Sequence, residues 1–360
     1  MEDRPKELSE KAVQTLKEKA IEQLENVMSK ISDAAAWQDF LAKKRAEAAT
    51  LQGQGELRVF LQSMQKALNY LHAVRDFEQE IKATNENKLI ASAGLSVQTS
   101  IANAVPSESQ KIEIAIPAAS EIGEQIKETV PAEQQKVYQD TMGNIKENFK
   151  NFNAAAGEIV RESLGKPVHE IRSQAFKDAD LLTETTHKFR VAVKEPSTSH
   201  LQAVSENIAK ISDRTSEVIA DKQEETRQEA KKKGSWGSKV GNWLGLSGPG
   251  VMMVGSLMML TGSIMSLASG GLLAPIGGPL IFAGGLMALQ GGGLYAAGGE
   301  IRNREDNKNI KTALAQSEVR EKIEEAKKVL HEGQKVMTGI EGRMDELMKQ
   351  SKDQSQLRKP

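Results

Sequence analysis

The sequence predicts an all-α protein, an elongated bundle of long amphipathic and coiled-coil helices with a hydrophobic, glycine-rich helical hairpin as its head. Three observations support this class. Apolar residues recur at three- and four-residue spacing over most of the chain, which is the period of a helix face. Only 8 Phe, 3 Trp and 3 Tyr occur in 360 residues, and no long β-type run is present. The third observation is a stretch of 60 residues, 240–299, without one charged side chain.

The charge-free stretch is the most unusual feature of a chain that is 27% charged, in which a window of that length would hold roughly 16 charges by composition. Two apolar lobes, residues 251–273 and 280–297, lie within it. As helices they would be roughly 35 and 27 Å long, against about 30 Å for the hydrocarbon core of a bilayer. Between them, residues 274–279 contain two prolines and two glycines, which predict a chain reversal. A hairpin that spans a membrane is therefore expected.

The apolar side chains of the lobes are the predicted membrane-inserting residues: Val251, Met252, Val254, Leu257, Met259, Leu260, Ile264, Leu267, Leu272, Leu273, Leu280, Ile281, Phe282, Leu286, Leu289 and Leu294. Small residues at four-residue spacing are expected to let helix backbones approach closely: Gly262, Ser266, Gly270, Gly284, Ala288, Gly292 and Ala296. Basic and aromatic residues that settle at a headgroup boundary flank the lobes: Lys231, Lys232, Lys233, Trp236, Trp243, Tyr295, Arg302 and Arg304.

Amphipathic helices are predicted on both sides of the hairpin. Apolar stripes run over residues 13–31 and 57–81, and clean heptads over 201–218 and 323–347. The predicted division of the chain is a helical rod at 1–238, the inserting hairpin at 239–300 and a return amphipathic helix at 301–360. The 17 glycines between 240 and 299 each disfavour a helix in water. We therefore expect the lobes to be covered by neighbouring heptads in the soluble form, as a tongue, a short hairpin or a loosely helical pair.

Sequence features that would indicate chemistry are missing. The chain has no cysteine, its five histidines are far apart, and no nucleotide-binding, hydrolase or calcium-loop pattern occurs. We predict no catalytic, cofactor-binding or metal-binding residue, no enzymatic activity and no small-molecule substrate. A net charge of −1 argues against a nucleic-acid partner. The first 30 residues are rich in charge, so a conventional signal peptide is not expected.

The whole pattern of long amphipathic helices around one late hydrophobic hairpin resembles the helical pore-forming toxins of the cytolysin A type, including their multi-component relatives. In that family a helical rod carries a hydrophobic tongue or hairpin that leaves the rod and inserts into a bilayer. The resemblance implies a lipid bilayer as partner, assembly with further copies or partner toxin subunits, and secretion without a conventional signal peptide. One departure is that only about 60 residues follow the hairpin, and a family-type return helix would need nearly all of them.

Three other interpretations fit the same pattern. The hairpin could be the buried core of a larger soluble bundle, or a passive membrane anchor with the function elsewhere. The two-lobed segment also resembles that of bacterial translocator and inclusion-membrane proteins delivered by secretion machines. In that case the hairpin would anchor a secreted effector in a host membrane while its coiled coils recruit partners.

Overall fold

The computed structural model describes residues 9–83, 144–195, 198–228, 236–268 and 274–306, together with Glu321. All regular structure in these ranges is helical, which confirms the all-α class. The helices are α1 (Glu10–Met28), a 3-10 turn (Ala34–Trp37), α2 (Gln38–Thr50), α3 (Gln54–Ala83), α4 (Ile145–Leu164), α5 (Ser173–Lys194), α6 (Thr198–Gln228), α7 (Trp236–Ala268) and α8 (Ala274–Asp306). The predicted heptad over 323–347 lies outside the described residues.

The first helix follows its predicted stripe except at its beginning. Ser9 caps α1 by accepting a hydrogen bond from the Ala12 N–H at 3.3 Å. Further along, Ala20 and Leu24 are buried as expected, but Leu16 is 38% exposed. Lys17 is buried in its place, and its ammonium donates to the Leu51 carbonyl at 3.0 Å. A lysine fits here because its aliphatic stem covers apolar surface while its ammonium satisfies an oxygen beyond the end of α2.

The chain divides into two compact units. The first consists of residues 1–79 and 156–187, and the second of residues 80–155 and 188–360. In this division α7 and α8 share a unit with α6 and with the first half of α4.

An aromatic cluster forms the core of the first unit. Trp37, at the end of the 3-10 turn, packs edge-on against Phe40 with 5.4 Å between ring centroids, and lies 6.1 Å from the Tyr70 ring. The Arg161 guanidinium sits 5.2 Å above the Trp37 ring. Complete burial raises the pKa of the Tyr70 phenol. The cluster ties α3 and the end of α4 to the 3-10 turn.

A buried ion pair closes the same unit. The Lys44 ammonium is fully buried between the Phe40 and Phe60 rings, at 6.0 Å from each centroid. It donates to Glu47 Oε2 at 2.7 Å and to the Lys166 carbonyl at 3.2 Å. Glu47 Oε1 accepts from the Val168 N–H at 2.6 Å. The pair therefore ties α2 to the segment between α4 and α5.

Replacing Lys44 by methionine should destabilise the first unit by about 3 kcal/mol, because it leaves a mostly buried carboxylate without its cation. The double variant Lys44→Met/Glu47→Gln should recover most of that loss, since the amide oxygen still accepts from Val168. Urea unfolding monitored by circular dichroism measures both. Equal loss in the single and double variants would show that packing, and not the unpaired charge, dominates.

Lys44 should also make the free energy of unfolding depend on pH. Burial lowers the pKa of Lys44 below its ordinary value of 10.5. Between that lowered pKa and 10.5 the unfolded chain binds more protons than the folded one, so the free energy of unfolding should rise with pH in this window. The rise should be absent in Lys44→Met. Urea titrations between pH 7 and 9.5, below the titration of Tyr70, provide the comparison.

The second unit packs the first half of α4, the last residues of α5 and all of α6 around apolar stripes. Phe152 on α4 meets Phe189 on α5 edge-on, with 5.0 Å between ring centroids. The heptad positions Leu201, Val204 and Ile208 of α6 are buried. Lys188 donates to Asn207 Oδ1 at 3.0 Å, which joins α5 to α6. This scaffold supports the hairpin helices.

Candidate functional site

The charge-free stretch folds into two helices of equal length. α7 and α8 each contain 33 residues, about 50 Å, so either is longer than a bilayer core. Both are continuous helices, although α7 contains Pro249, so of the three expected forms the pair is a helical one and not a tongue or a short hairpin. Tertiary packing supplies the reason, because burial of a helix face outweighs intrinsic propensity.

The break between the helices differs from the predicted connector. Residues 274–279 form the first turns of α8 and α7 ends at Ala268, while residues 269–273 lie outside the described structure. A proline is tolerated in the first helical turn, where its missing N–H has no intrahelical partner. Pro275 occupies such a position.

Six glycines line the contact between α7 and α8, and we call them the glycine seam: Gly241, Gly248 and Gly255 on α7, and Gly284, Gly291 and Gly298 on α8. Gly255 meets Gly284, Gly248 meets Gly291, and Gly241 meets Gly298. Residue numbers fall along one helix as they rise along the other, so the helices are antiparallel. Their seven-residue spacing repeats every two turns and keeps the six glycines on facing sides.

The seam brings the two backbones into direct contact. A methyl group on Gly255 would lie 2.4 Å from the Gly284 carbonyl oxygen, and one on Gly284 would lie 2.5 Å from the Gly255 oxygen. The Gly248–Gly291 pair repeats this arrangement, at 2.6 and 2.5 Å. Each glycine therefore points a Cα–H bond at its partner's carbonyl, a weak hydrogen bond that recurs where helices approach closely. No other residue type fits these positions without moving the helices apart.

The seam differs from the predicted four-residue ridge. Gly284 and Ala288 do contact α7 at Gly255. By contrast, Gly292 has open space where a side chain would lie, and Ala296 is exposed. Gly262 is buried, whereas Gly270 and the side chain of Ser266 lie outside the description. A signal for the true register was available, because glycine recurs every seven residues at Gly241, Gly248, Gly255 and Gly262, and again at Gly277, Gly284, Gly291 and Gly298.

α7 is largely enclosed by its neighbours. Within the described ranges, the segment Lys239–Gly262 is the one helix both long and apolar enough to cross a membrane, and 94% of an 18-residue window in it is buried. Beyond its seam with α8 it packs on α4, where Ala155 lies beside Gly245, and on both α4 and α6 at Gly250, which lies beside Phe152 and Ile208. Core helices of soluble proteins share this length and composition. The outward face of α8 therefore discriminates better between a core helix and a membrane-inserting one.

That outward face is apolar. Leu286, Leu289 and Tyr295 are 40%, 58% and 42% exposed, and Gly293 and Ala296 are exposed beside them. The opposite side of α8 buries Ile281, Met287 and Leu294. A soluble amphipathic helix carries charged or polar residues on its exposed stripe. Between Ala274 and Gly299, α8 has no charged residue.

The predicted membrane-inserting residues fall into three groups. Those buried in the bundle are Val251, Val254, Leu257, Met259, Leu260, Ile281 and Leu294, with Met252 partly exposed. Those on the outer face of α8 are Leu286 and Leu289. Those whose side chains lie outside the description are Ile264, Leu267, Leu272, Leu273, Leu280 and Phe282.

The predicted boundary residues are also spread apart. Trp243 is buried and lies two turns inside α7, which begins at Trp236. Tyr295 is exposed, with its hydroxyl 3.4 Å from Asn151 Oδ1 on α4. Arg302 is exposed and its Cβ adjoins Gly241. Lys231, Lys232 and Lys233, and the side chains of Trp236 and Arg304, lie outside the description.

Comparison of the chain with protein-family models, with curated proteins and with solved structures gave no match. Function is therefore inferred from the residues and their packing.

Proposed function

We propose that this protein is a non-enzymatic, membrane-active helical protein, a component of a pore-forming toxin that inserts α7 and α8 into a target bilayer and oligomerises there. The bilayer is its first partner, and further copies or partner toxin subunits complete the assembly. On this proposal the protein leaves its producing cell and converts from a soluble to an inserted form.

The observation that carries the proposal is the exposed apolar face of an uncharged helix. Leu286, Leu289 and Tyr295 lie in water on a helix that bears no charge from Ala274 to Gly299. If α8 served only as core, its outer stripe would be polar. A helix that has no polar stripe is suited instead to the hydrocarbon core of a bilayer, which contacts it on every side.

The packing of the pair supports insertion of both helices together. In a bilayer every backbone N–H and carbonyl must be bonded within the structure, and two continuous helices meet that requirement except around Pro249 of α7, which has no N–H to donate to the carbonyl of Gly245. Helices associate in lipid through close backbone contact at small residues. The glycine seam provides that contact in the soluble form already, so α7 and α8 can enter as one antiparallel hairpin.

The alternative is a secreted effector or translocator that α7 and α8 anchor permanently in a host membrane, with the coiled coils recruiting partners. The enclosure of α7 supports the first proposal over the second. A toxin must be water-soluble before it inserts, whereas an anchored effector needs detergent or delivery to stay in solution.

Replacing Leu286 by aspartate should abolish dye release from lipid vesicles without unfolding the protein. The side chain is already 40% exposed, so a carboxylate costs the soluble fold little. In the middle of a membrane span it costs about 2.5–3.5 kcal/mol on insertion scales, which corresponds to a loss of about 100-fold.

Leu16→Asp is the matched control, because Leu16 is 38% exposed on α1, a helix of the first unit that is not part of the hairpin. It should release dye like the parent protein. Equal release by all three proteins would mean that α8 does not enter the bilayer. No release by the parent would favour the anchored effector.

A further inference from the structure

Several polar side chains are buried around α7 without a hydrogen-bond partner in the described structure. On α7 itself these are both amide atoms of Asn242 and the hydroxyl of Thr261. On the neighbouring helices they include Asn148 Nδ2 of α4 and the Ser212 hydroxyl of α6. All four residues belong to the second unit and are buried.

The positions on α4 and α6 belong to the faces that enclose α7. Asn148 lies one turn before Phe152, which contacts α7 at Gly250. Ser212 lies one turn after Ile208, which contacts the same glycine. Asn148 and Ser212 therefore lie near the contacts of α4 and α6 with α7, whereas Asn242 and Thr261 lie about 28 Å apart along α7 itself.

Other buried hydroxyls in the unit are satisfied within their own helices. Ser256 of α7 donates to the Met252 carbonyl at 2.7 Å, and Thr215 of α6 donates to the Ile211 carbonyl at 2.8 Å. Such bonds persist wherever the helix goes, so they do not affect its release. An unpartnered buried group differs, because leaving the bundle lets it regain water or a new partner.

We propose that Asn242, Thr261, Asn148 and Ser212 set how readily α7 leaves the bundle, by keeping its packing less stable than an apolar interface would be. This inference rests on the proposed function, since release of α7 is the step that insertion requires. It gives the soluble form a built-in tendency to open at the faces that hold α7.

The proposal and a simple hydrophobicity argument predict opposite effects on the rate of permeabilisation when α7 is made more apolar. Changing Thr261 to valine or Asn242 to leucine makes α7 more apolar at nearly constant volume. If apolar content limited insertion, both variants would permeabilise vesicles faster. If release from the bundle limits it, both should act more slowly, because the starting state becomes more stable.

Two measurements on the full chain test this. Amide hydrogen exchange of α7 in solution should show about tenfold slower opening in Thr261→Val and Asn242→Leu. Dye release from phosphatidylcholine–phosphatidylserine vesicles should slow by a similar factor. Thr215→Val is the matched control, because it makes the same replacement of a buried threonine whose hydroxyl is already bonded. It should match the parent or open faster.

Each outcome decides the question. Unchanged exchange in both α7 variants would overturn the inference and show that ordered water satisfies these groups. Slower exchange combined with equal or faster dye release would overturn it too, since release would not limit insertion. If the parent protein releases no dye, the proposed function fails, while the exchange measurement still decides whether these groups weaken the packing of α7.

Discussion

Gly255→Ala should destabilise the second unit by about 1–3 kcal/mol, whereas Gly293→Ala should stabilise it by up to about 1 kcal/mol. Alanine is the better helix former, so propensity alone favours both changes. At Gly255 the new methyl would lie 2.4 Å from the Gly284 oxygen and 2.7 Å from the Ala288 nitrogen. Backbone atoms cannot swing aside as a side chain can, so the helices must separate. Gly293 has open space at the same position.

Urea unfolding and amide exchange of α7 and α8 measure this difference. The opposite signs of the two substitutions identify the seam, because a nonspecific effect of removing glycine would move both the same way. Gly248→Ala should behave like Gly255→Ala, since its methyl would lie 2.4 Å from the Tyr295 nitrogen. Stabilisation by all three substitutions would show that α7 and α8 do not pack in this register.

The helical class and most helix faces could be predicted from the sequence, because the three-and-four spacing of apolar residues reflects burial directly. Leu201, Val204 and Ile208 are buried as their heptad predicts. The pattern failed at the start of α1, where Lys17 is buried and Leu16 is not. A hydrophobicity pattern counts lysine as polar, although its aliphatic stem can pack in a core when its ammonium donates to a carbonyl.

The existence of the hairpin could also be predicted, whereas its internal contact could not. A four-residue spacing of small residues fits a helix face as well as a seven-residue spacing does, and α8 contains both. Only the partner helix decides which face is used, and this is why Gly291 lies in the seam while Gly292 faces open space. Likewise, the burial of Trp243 depends on which helices cover that part of α7, and the sequence alone does not show this.

The glycine seam does not show whether α7 leaves its scaffold. A disulfide that joins α7 to α4 tests this step. Gly245 of α7 and Ala155 of α4 are suited to a disulfide, because a Cβ on Gly245 would lie 3.9 Å from the Ala155 Cβ. Disulfides typically join Cβ atoms about 3.5–4.5 Å apart. The chain contains no cysteine of its own, so Gly245→Cys/Ala155→Cys should form a single defined bond.

The lock should hold α7 on α4 while leaving the outer face of α8 free. We therefore expect the oxidised protein still to contact vesicles and to release no dye. The single variants Gly245→Cys and Ala155→Cys, kept reduced, serve as controls for the substitutions themselves. Both should release dye at the rate of the parent protein.

The most direct test of a releasable hairpin is dye release from vesicles by the oxidised double variant, recorded before and after adding reductant. The account predicts no release until the disulfide is reduced, followed by release at the rate of the single variants. Equal release by the oxidised and reduced forms would contradict it, because α7 would then not have to leave the bundle for the membrane to be breached.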